Sequence, residues 1–220
     1  MASTFTIEWD KAGEHYFESG VSHGVLYPAA DNAYPKGVAW NGLTSFNESP
    51  EGGDASDFWA DNIKYATLRA AESYGGTIEC YTYPDEFAAC NGEVELMSGV
   101  TIAQQARKGF GLCFRTEVGN DIDSNVGYKL HLIWGCSCSP SSKDHATIND
   151  SPDAGTMSFE FKSNPVNVTG QKPTSKMTIE SLKAGSAKMA AIEKILYGDG
   201  STEGRLPMPD EVMEILEAAA

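Results

Sequence analysis

The side chains able to do chemistry are few and scattered. Cys136 and Cys138 lie two apart in an alternating run that puts both on one strand face. Together with Cys80 and Cys90 they could offer four thiolates to a tetrahedral metal, but the knuckle spacings of structural zinc sites are absent. A thiol on an apolar strand face is more often a small hydrophobe, and a core role is expected for all of them. His15, His23, His131 and His145 are far apart, with no nucleophile elbow and no paired cysteine–histidine signature. His131 alternates with apolar neighbours and is expected on the strand surface. Glu48, Glu51, Asp54, Asp57 and Asp61 fall within 14 residues that contain no base. They offer hard oxygen ligands around Gly52-Gly53, yet their spacing misses the EF-hand pattern, and composition favours a solvated, self-repelling loop over a calcium site. Gly109-Phe110-Gly111 lacks the strand-to-helix setting of a phosphate loop and is expected to mark a bulge or a close backbone approach. No catalytic, metal or cofactor site follows from these residues, and a non-enzymatic chain is expected.

The elements that would position these residues are mostly strands. Tyr128–Cys138 alternates Tyr, Leu, Leu, Trp, Cys, Cys against Lys129, His131, Ile133, Gly135 and Ser137, the signature of a half-buried strand. Phe110–Val118 and Met157–Phe161 repeat it, the latter until Pro165. Shorter candidates are Phe5–Trp9, Val21–Tyr27, Lys36–Trp40, Leu43–Asn47, Ile63–Ala70, Thr77–Tyr83 and Lys176–Leu182. Asn41-Gly42 reads as a two-residue hairpin turn, and Gly75-Gly76 as a second turn. Helical spacing occurs at Pro84–Cys90, at Ala187–Tyr197 with Ser186 as cap, and at Pro209–Glu217. The expected fold is mostly β, a β-sandwich or barrel-like domain over residues 1–198 with one flanking helix, a long hairpin loop and extended terminal arms. Residues 199–220 form an expected C-terminal arm. Its short amphipathic helix would dock through Val212, Met213, Ile215 and Leu216, on its own domain or on a neighbour.

The chain has 220 residues, 31 acids and 16 bases, for a net charge of −15. Residues 1–62 carry ten acids and two bases, residues 63–197 fifteen and thirteen, and residues 198–220 six and one. The acidity therefore comes from the two ends. This balance argues against a groove that grips nucleic acid and against docking on anionic lipid. The first residues lack the basic start and apolar run of a secretory signal, and five cysteines in so long a chain do not read as a disulfide framework. Reduced thiols in a cytoplasm are expected.

Four segments carry a resemblance: Asp57–Tyr65 (DFWADNIKY), Gly75–Phe87 (GGTIECYTYPDEF), Lys108–Arg115 (KGFGLCFR) and Gly127–Trp134 (GYKLHLIW). In combination and order, from about Gly13 to the Pro207–Pro209 region, they resemble the major tail protein, or tail tube protein, of long-tailed, non-contractile bacteriophages. The resemblance implies a β-sandwich flanked by a helix, six copies closing a ring around an inner β-barrel, and rings stacking into a virion tail tube. It implies assembly in the host bacterial cytoplasm, with the tape-measure, tail tip and tail terminator proteins as partners and no membrane. DNA would cross the lumen without specific binding, past an acidic wall that repels phosphate. Glu48, Glu51, Asp54, Asp57 and Asp61 become candidates for ring-to-ring contact or for the lumen. The reading from another class is a carbohydrate- or receptor-binding sandwich that uses Trp40, Trp59, Trp134, Tyr81 and Tyr83.

Overall fold

The computed structural model describes residues 7–143, 145, 147 and 154–219. Strands β1 (Phe17–Pro28), β2 (Val38–Trp40), β3 (Leu43–Glu48) and β4 (Glu51–Gly52) lead into a hairpin of β5 (Ala55–Ala60) and β6 (Ile63–Arg69). Strand β7 (Glu72–Cys80) is followed by α1 (Asp85–Cys90) and a second hairpin of β8 (Val94–Met97) and β9 (Val100–Ile102). Then come β10 (Phe110–Gly119), β11 (Gly127–Cys138), β12 (Met157–Ser163) and β13 (Lys176–Glu180). Helices α2 (Ser181–Ala184), α3 (Ser186–Tyr197) and α4 (Pro209–Ala218) follow. The fold is mostly β with flanking helices. No helix among the described residues is long and apolar enough to cross a membrane.

Nine strands share one antiparallel sheet in the order β2-β1-β10-β11-β12-β7-β3, with β13 also on β11 and β4 on β7. The sheet forks along β11. Its first half, Lys129–Ile133, pairs with β13, and its last residues, Cys136–Cys138, pair with β12. Gly135 makes the fork: its φ is +66°, and a Cβ there would collide with the Asn164 backbone. The bulge also reverses the facing of the strand. Leu130, Leu132 and Trp134 join one core, while Ile133, Cys136 and Cys138 join the other. The uninterrupted alternation expected over Tyr128–Cys138 is thus corrected: the two cysteines face away from Leu130 and Leu132.

One core lies inside the folded sheet, around Phe87, Phe110, Phe114, Phe159 and Phe161. The other lies between the outer sheet face and the helices, where Met189, Ile192 and Leu196 of α3 meet Leu132 and Trp134. Tyr27 donates a buried hydrogen bond to the Leu196 carbonyl at 2.8 Å, and Trp134 Nε1 donates to the Pro207 carbonyl at 2.9 Å. These bonds satisfy polar atoms that burial would otherwise penalise.

Two expected turns are also corrected. Asn41-Gly42 is a corner between the sheet's two ends, because β2 pairs with β1 and β3 with β7. Positive φ falls on Gly42 alone, at +81°, whereas a twisted two-residue hairpin needs it at both positions. The sheet ends are joined covalently there without a ladder, so no closed barrel forms among the described strands. Gly75 and Gly76 lie inside β7, where Cβ atoms would strike the Phe161 and Asn47 carbonyls. They permit close strand approach instead of turning the chain. Of the expected strand Phe5–Trp9, Phe5 and Thr6 lie outside the described residues, and Ile7–Trp9 joins no ladder. Gly185, not Ser186, precedes α3 as its N-cap.

Candidate assembly surfaces

The hairpin β5–β6 stands clear of both cores. Its tip, Asp61-Asn62, has φ of +50° and +63°, the left-handed pair that a tight turn on twisted strands requires. Register pairs Ser56 with Leu68, Phe58 with Ala66 and Ala60 with Ile63, so Phe58, Ile63 and Leu68 share one face. The opposite face carries Asp57, held by Lys64 Nζ at 2.8 Å and by the Thr67 hydroxyl at 2.7 Å. Leu68 is 61% exposed, and Trp59 on the polar face 67%. A ribbon with no core of its own is marginal in water, so an exposed apolar face on one calls for a partner.

A second ribbon, β8–β9, repeats this design. Val94 pairs with Ile102 and Met97 with Val100, which puts four exposed apolar side chains on one face. Periodicity alone misses both ribbons' role, because it marks an apolar face without saying what lies opposite. Their signal in the sequence is apolar alternation beside turn residues at Asp61-Asn62 and Ser98-Gly99, on short strands.

The third surface is the free half of the forked sheet, formed by β1, β10, β11 and β13. Its face away from the helices carries Glu18, Thr116, Lys129, His131, Thr178 and Glu180, one strand after another. Lys129 Nζ is 2.5 Å from Glu18 Oε2 and 4.0 Å from Glu180 Oε1. Burial raises the Glu18 carboxyl, but hydrogen bonds from Lys129 and Thr116 outweigh it and hold that carboxyl below its usual range. His131 is only 5% exposed and stacks on Phe114, with centroids 4.6 Å apart and planes 13° apart. Its expected surface position is thereby corrected, since folding over of the sheet covers it. Burial lowers its pKa, the Lys176 charge lowers it further, and Glu18 and Glu48 act in opposition.

This half-sheet ends in two open edges. Among the described residues the outer side of β1 is unpaired over Phe17–Ser22, since β2 reaches only Gly24–Leu26. The outer side of β13 has no ladder among the described strands. A bulge between Ser19 and Ser22 bends the first edge, which discourages indiscriminate pairing. A groove of about 570 Å³ crosses the same end, with Phe17, Val118 and Leu182 as apolar floor and Lys129, Glu180 and Lys183 on its rim.

The acidic block runs along these surfaces. Glu48 ends β3 and pairs with Lys176, and Glu51 on β4 meets Lys162 Nζ at 2.8 Å. The Asp54 carbonyl accepts from the Ala70 amide at 3.2 Å at the root of the first ribbon, and Asp61 sits at its tip. The five acids are therefore strung out over about half of a long hairpin rather than gathered. No group of three or more metal-ligating side chains occurs among the described residues. All five cysteines are free and buried, and burial pushes the thiols of Cys90, Cys113 and Cys138 up to about 12.

At the C-terminus, Val212 is fully buried, Ile215 and Leu216 pack beside it against the α3 core, and Met213 is 46% exposed. Arg205 makes a two-armed ion pair with Glu211, and Asp210 accepts from the Thr169 amide at 2.9 Å and hydroxyl at 2.7 Å. The helix thus docks on its own domain. Trp40 and Trp134 are buried and Tyr83 half-buried, whereas Trp59 and Tyr81 are exposed on different elements, so the five aromatics form no single platform.

No family model and no curated protein matches the chain. Among solved structures, it is similar to the PVC sheath/tube terminator of an extracellular contractile injection system, in its extended state. The alignment covers 79% of this chain and 99% of that one, at 9% identity and a TM-score of 0.34.

Proposed function

We propose that the chain is a structural subunit that assembles with copies of itself into rings, and the rings into a phage tail tube. The observation that carries this reading is the pair of open edges on one half-sheet. β1 and β13 run in opposite directions, because each neighbour in the order β1-β10-β11-β13 is antiparallel. β13 of one copy therefore meets β1 of the next as one more antiparallel pair. Such a contact is head-to-tail and joins different surfaces, so it closes into a ring when the rotation allows. Closure removes edges that are otherwise an aggregation hazard. The four quoted segments support the same reading through their resemblance to tail tube proteins.

In this reading the uncovered end of the half-sheet's face away from the helices, around Glu18, Lys129 and Glu180, lines the hole. The lysines of that face are already committed, Lys129 to Glu18 and Lys176 to Glu48. Counterion release at a free lysine is what makes DNA stick, and a paired lysine offers little of it. The wall thus needs few surplus acids to let DNA pass, and the acidic ends remain free for contacts outside it.

Electron microscopy of the concentrated protein, with hydrogen exchange on the same sample, tests this. Rings or tubes about 100 Å across are expected, the size of several such domains around a DNA-wide hole. The outward-facing amides of Phe17–Ser22 and Lys176–Glu180 should exchange more slowly on assembly. A strict monomer at high concentration, or assemblies that leave both edges exchanging as before, would defeat the proposal.

A further inference from the structure

The sequence holds Asn-Gly twice, at Asn41-Gly42 and Asn91-Gly92. A glycine after asparagine has no Cβ to shield its amide nitrogen from the asparagine side-chain carbon. That nitrogen can attack Cγ, forming a C–N bond while the Cγ–Nδ2 bond breaks. The proton given up by the glycine amide passes through water to the leaving group, which departs as ammonia and leaves a succinimide ring. Water then opens the ring at Cγ to give aspartate, or at the main-chain carbonyl to give isoaspartate, whose backbone runs through Cγ. The reaction needs only water.

The fold separates the two pairs. Neither glycine amide donates a hydrogen bond among the described residues, so the difference lies in the asparagines and the chain around them. Asn91 caps α1 in the right-handed helical region, at φ −82° and ψ −1°, and its main-chain amide donates to the Phe87 carbonyl at 2.9 Å. The Glu93 amide donates to the Ala88 carbonyl at 2.8 Å, and the buried Gly92 accepts from the Gln105 amide at 2.9 Å. The peptide that must swing over Cγ is thus fixed on both sides. The Asn91 carboxamide also donates to Glu93 Oε1 at 3.1 Å, and an accepting carboxylate oxygen has no proton to give to departing ammonia. Asn41 lacks these ties. It is exposed, belongs to no ladder, and its carboxamide has no hydrogen-bond partner among the described residues. We propose that Asn41 deamidates spontaneously in the folded chain while Asn91 is protected.

Conversion has a structural consequence. The corner that joins the sheet's two ends is held by the Tyr81 amide, which donates to the Gly42 carbonyl at 2.8 Å, and by Trp40 Nε1, which donates to the Thr82 carbonyl at 3.0 Å. Isoaspartate lengthens the main chain between these two ties by one carbon, so it loosens them and lowers stability. The chemistry is independent of assembly.

The test ages the purified full chain in mildly alkaline heavy-oxygen water, folded and, in parallel, in urea. Ring opening places the label in the new carboxyl, so deamidation during later digestion goes unlabelled in peptide mass spectrometry. In the folded chain the Asn41 peptide should convert at least about tenfold faster than the Asn91 peptide. In urea the two should convert at similar rates, because both are then open chain. Aged wild type should unfold at a lower denaturant concentration than fresh protein, whereas Asn41→Gln should unfold at the same point before and after ageing. An unlabelled Asn41 peptide in the folded chain, an Asn91 peptide that converts as fast, or a difference that persists in urea would overturn the proposal. A chain converted at Asn41 that unfolds like the fresh one would overturn the loosening of the corner.

Discussion

The His131 ring donates to Thr116, and the direction of that bond is fixed by a third residue. Nε2 lies 2.8 Å from the Thr116 hydroxyl, whose single proton is committed to Glu18 Oε1 at 2.6 Å. Glu18 is ionised and can only accept, so the proton between ring and hydroxyl belongs to the histidine. The ring therefore carries a proton on Nε2, the burial that lowers its pKa favours its neutral form, and Nδ1 is turned to the Thr178 hydroxyl at 3.4 Å. One chain of contacts thus crosses β1, β10, β11 and β13, from one open edge to the other.

That relationship makes stability sensitive to mild acid. The folded pKa of His131 lies below its ordinary 6.5, so the unfolded chain takes up the proton first. The contribution is complete above the unfolded value and is lost as pH falls from there through the folded value. Lys176, Glu18 and Glu48 are the charges that act on the ring: Lys176 opposes its protonation, and the two glutamates favour it. His131→Gln retains an N–H near the Nε2 position and cannot titrate. Denaturant unfolding across pH 5 to 7.5 should show a slope in the wild type that is flatter in His131→Gln. Equal slopes would remove His131 from the account.

The fork in the sheet depends on Gly135. An alanine there meets the left-handed penalty of about 1–2 kcal/mol and also a collision with Asn164. Gly135→Ala should therefore cost clearly more than that penalty, read as a drop in the denaturant midpoint. Gly155→Ala, where a Cβ meets nothing within 4 Å and φ is ordinary, is the control.

The contrast between Gly135 and its neighbours shows what sequence could reveal. The alternation of Tyr128–Cys138 located β11 closely, because a half-buried strand writes its period into the chain. It did not reveal that the facing reverses at Gly135, since that depends on Asn164, 29 residues away. Asn41-Gly42 shows the same limit: the pair marked a turn, but whether β2 and β3 pair across it is settled by β1 and β7. His131 was misplaced because alternation reports one sheet face, not a second layer folded over it. Helices α3 and α4 were legible from apolar spacing. The acidic block was legible as a run, but its division between Glu48–Lys176, Glu51–Lys162 and Asp57–Lys64 comes from pairing at a distance.

Trp134 joins the sheet to the C-terminal segment through one hydrogen bond. Its Nε1 reaches the Pro207 carbonyl at 2.9 Å in a dry setting. Trp134→Phe keeps the aromatic body but leaves that carbonyl unpaired, at a cost of about 1–3 kcal/mol. The loss should appear in chemical unfolding without a change in the far-ultraviolet circular dichroism of the folded state.

Deleting residues 199–220 asks whether the last segment is an arm or part of the domain. Leu206 and Val212 are almost wholly buried and sit in the same core as Trp134, Met189 and Ile192. Each such side chain contributes about 1.5–3 kcal/mol on burial, and the deletion also uncovers the face of α3 and the Trp134 N–H. Arg205–Glu211 and Asp210–Thr169 add ties at the surface, but exposed pairs of this kind weigh little beside the core. A domain stable by the usual modest margin cannot lose this much and stay folded. The truncated chain should therefore melt far below the wild type or aggregate on expression. Met213→Ala, at an exposed position of the same helix, should leave the melting temperature nearly unchanged. A truncated chain that melts like the full one would show the helix to be a detachable arm, free to dock on a neighbour.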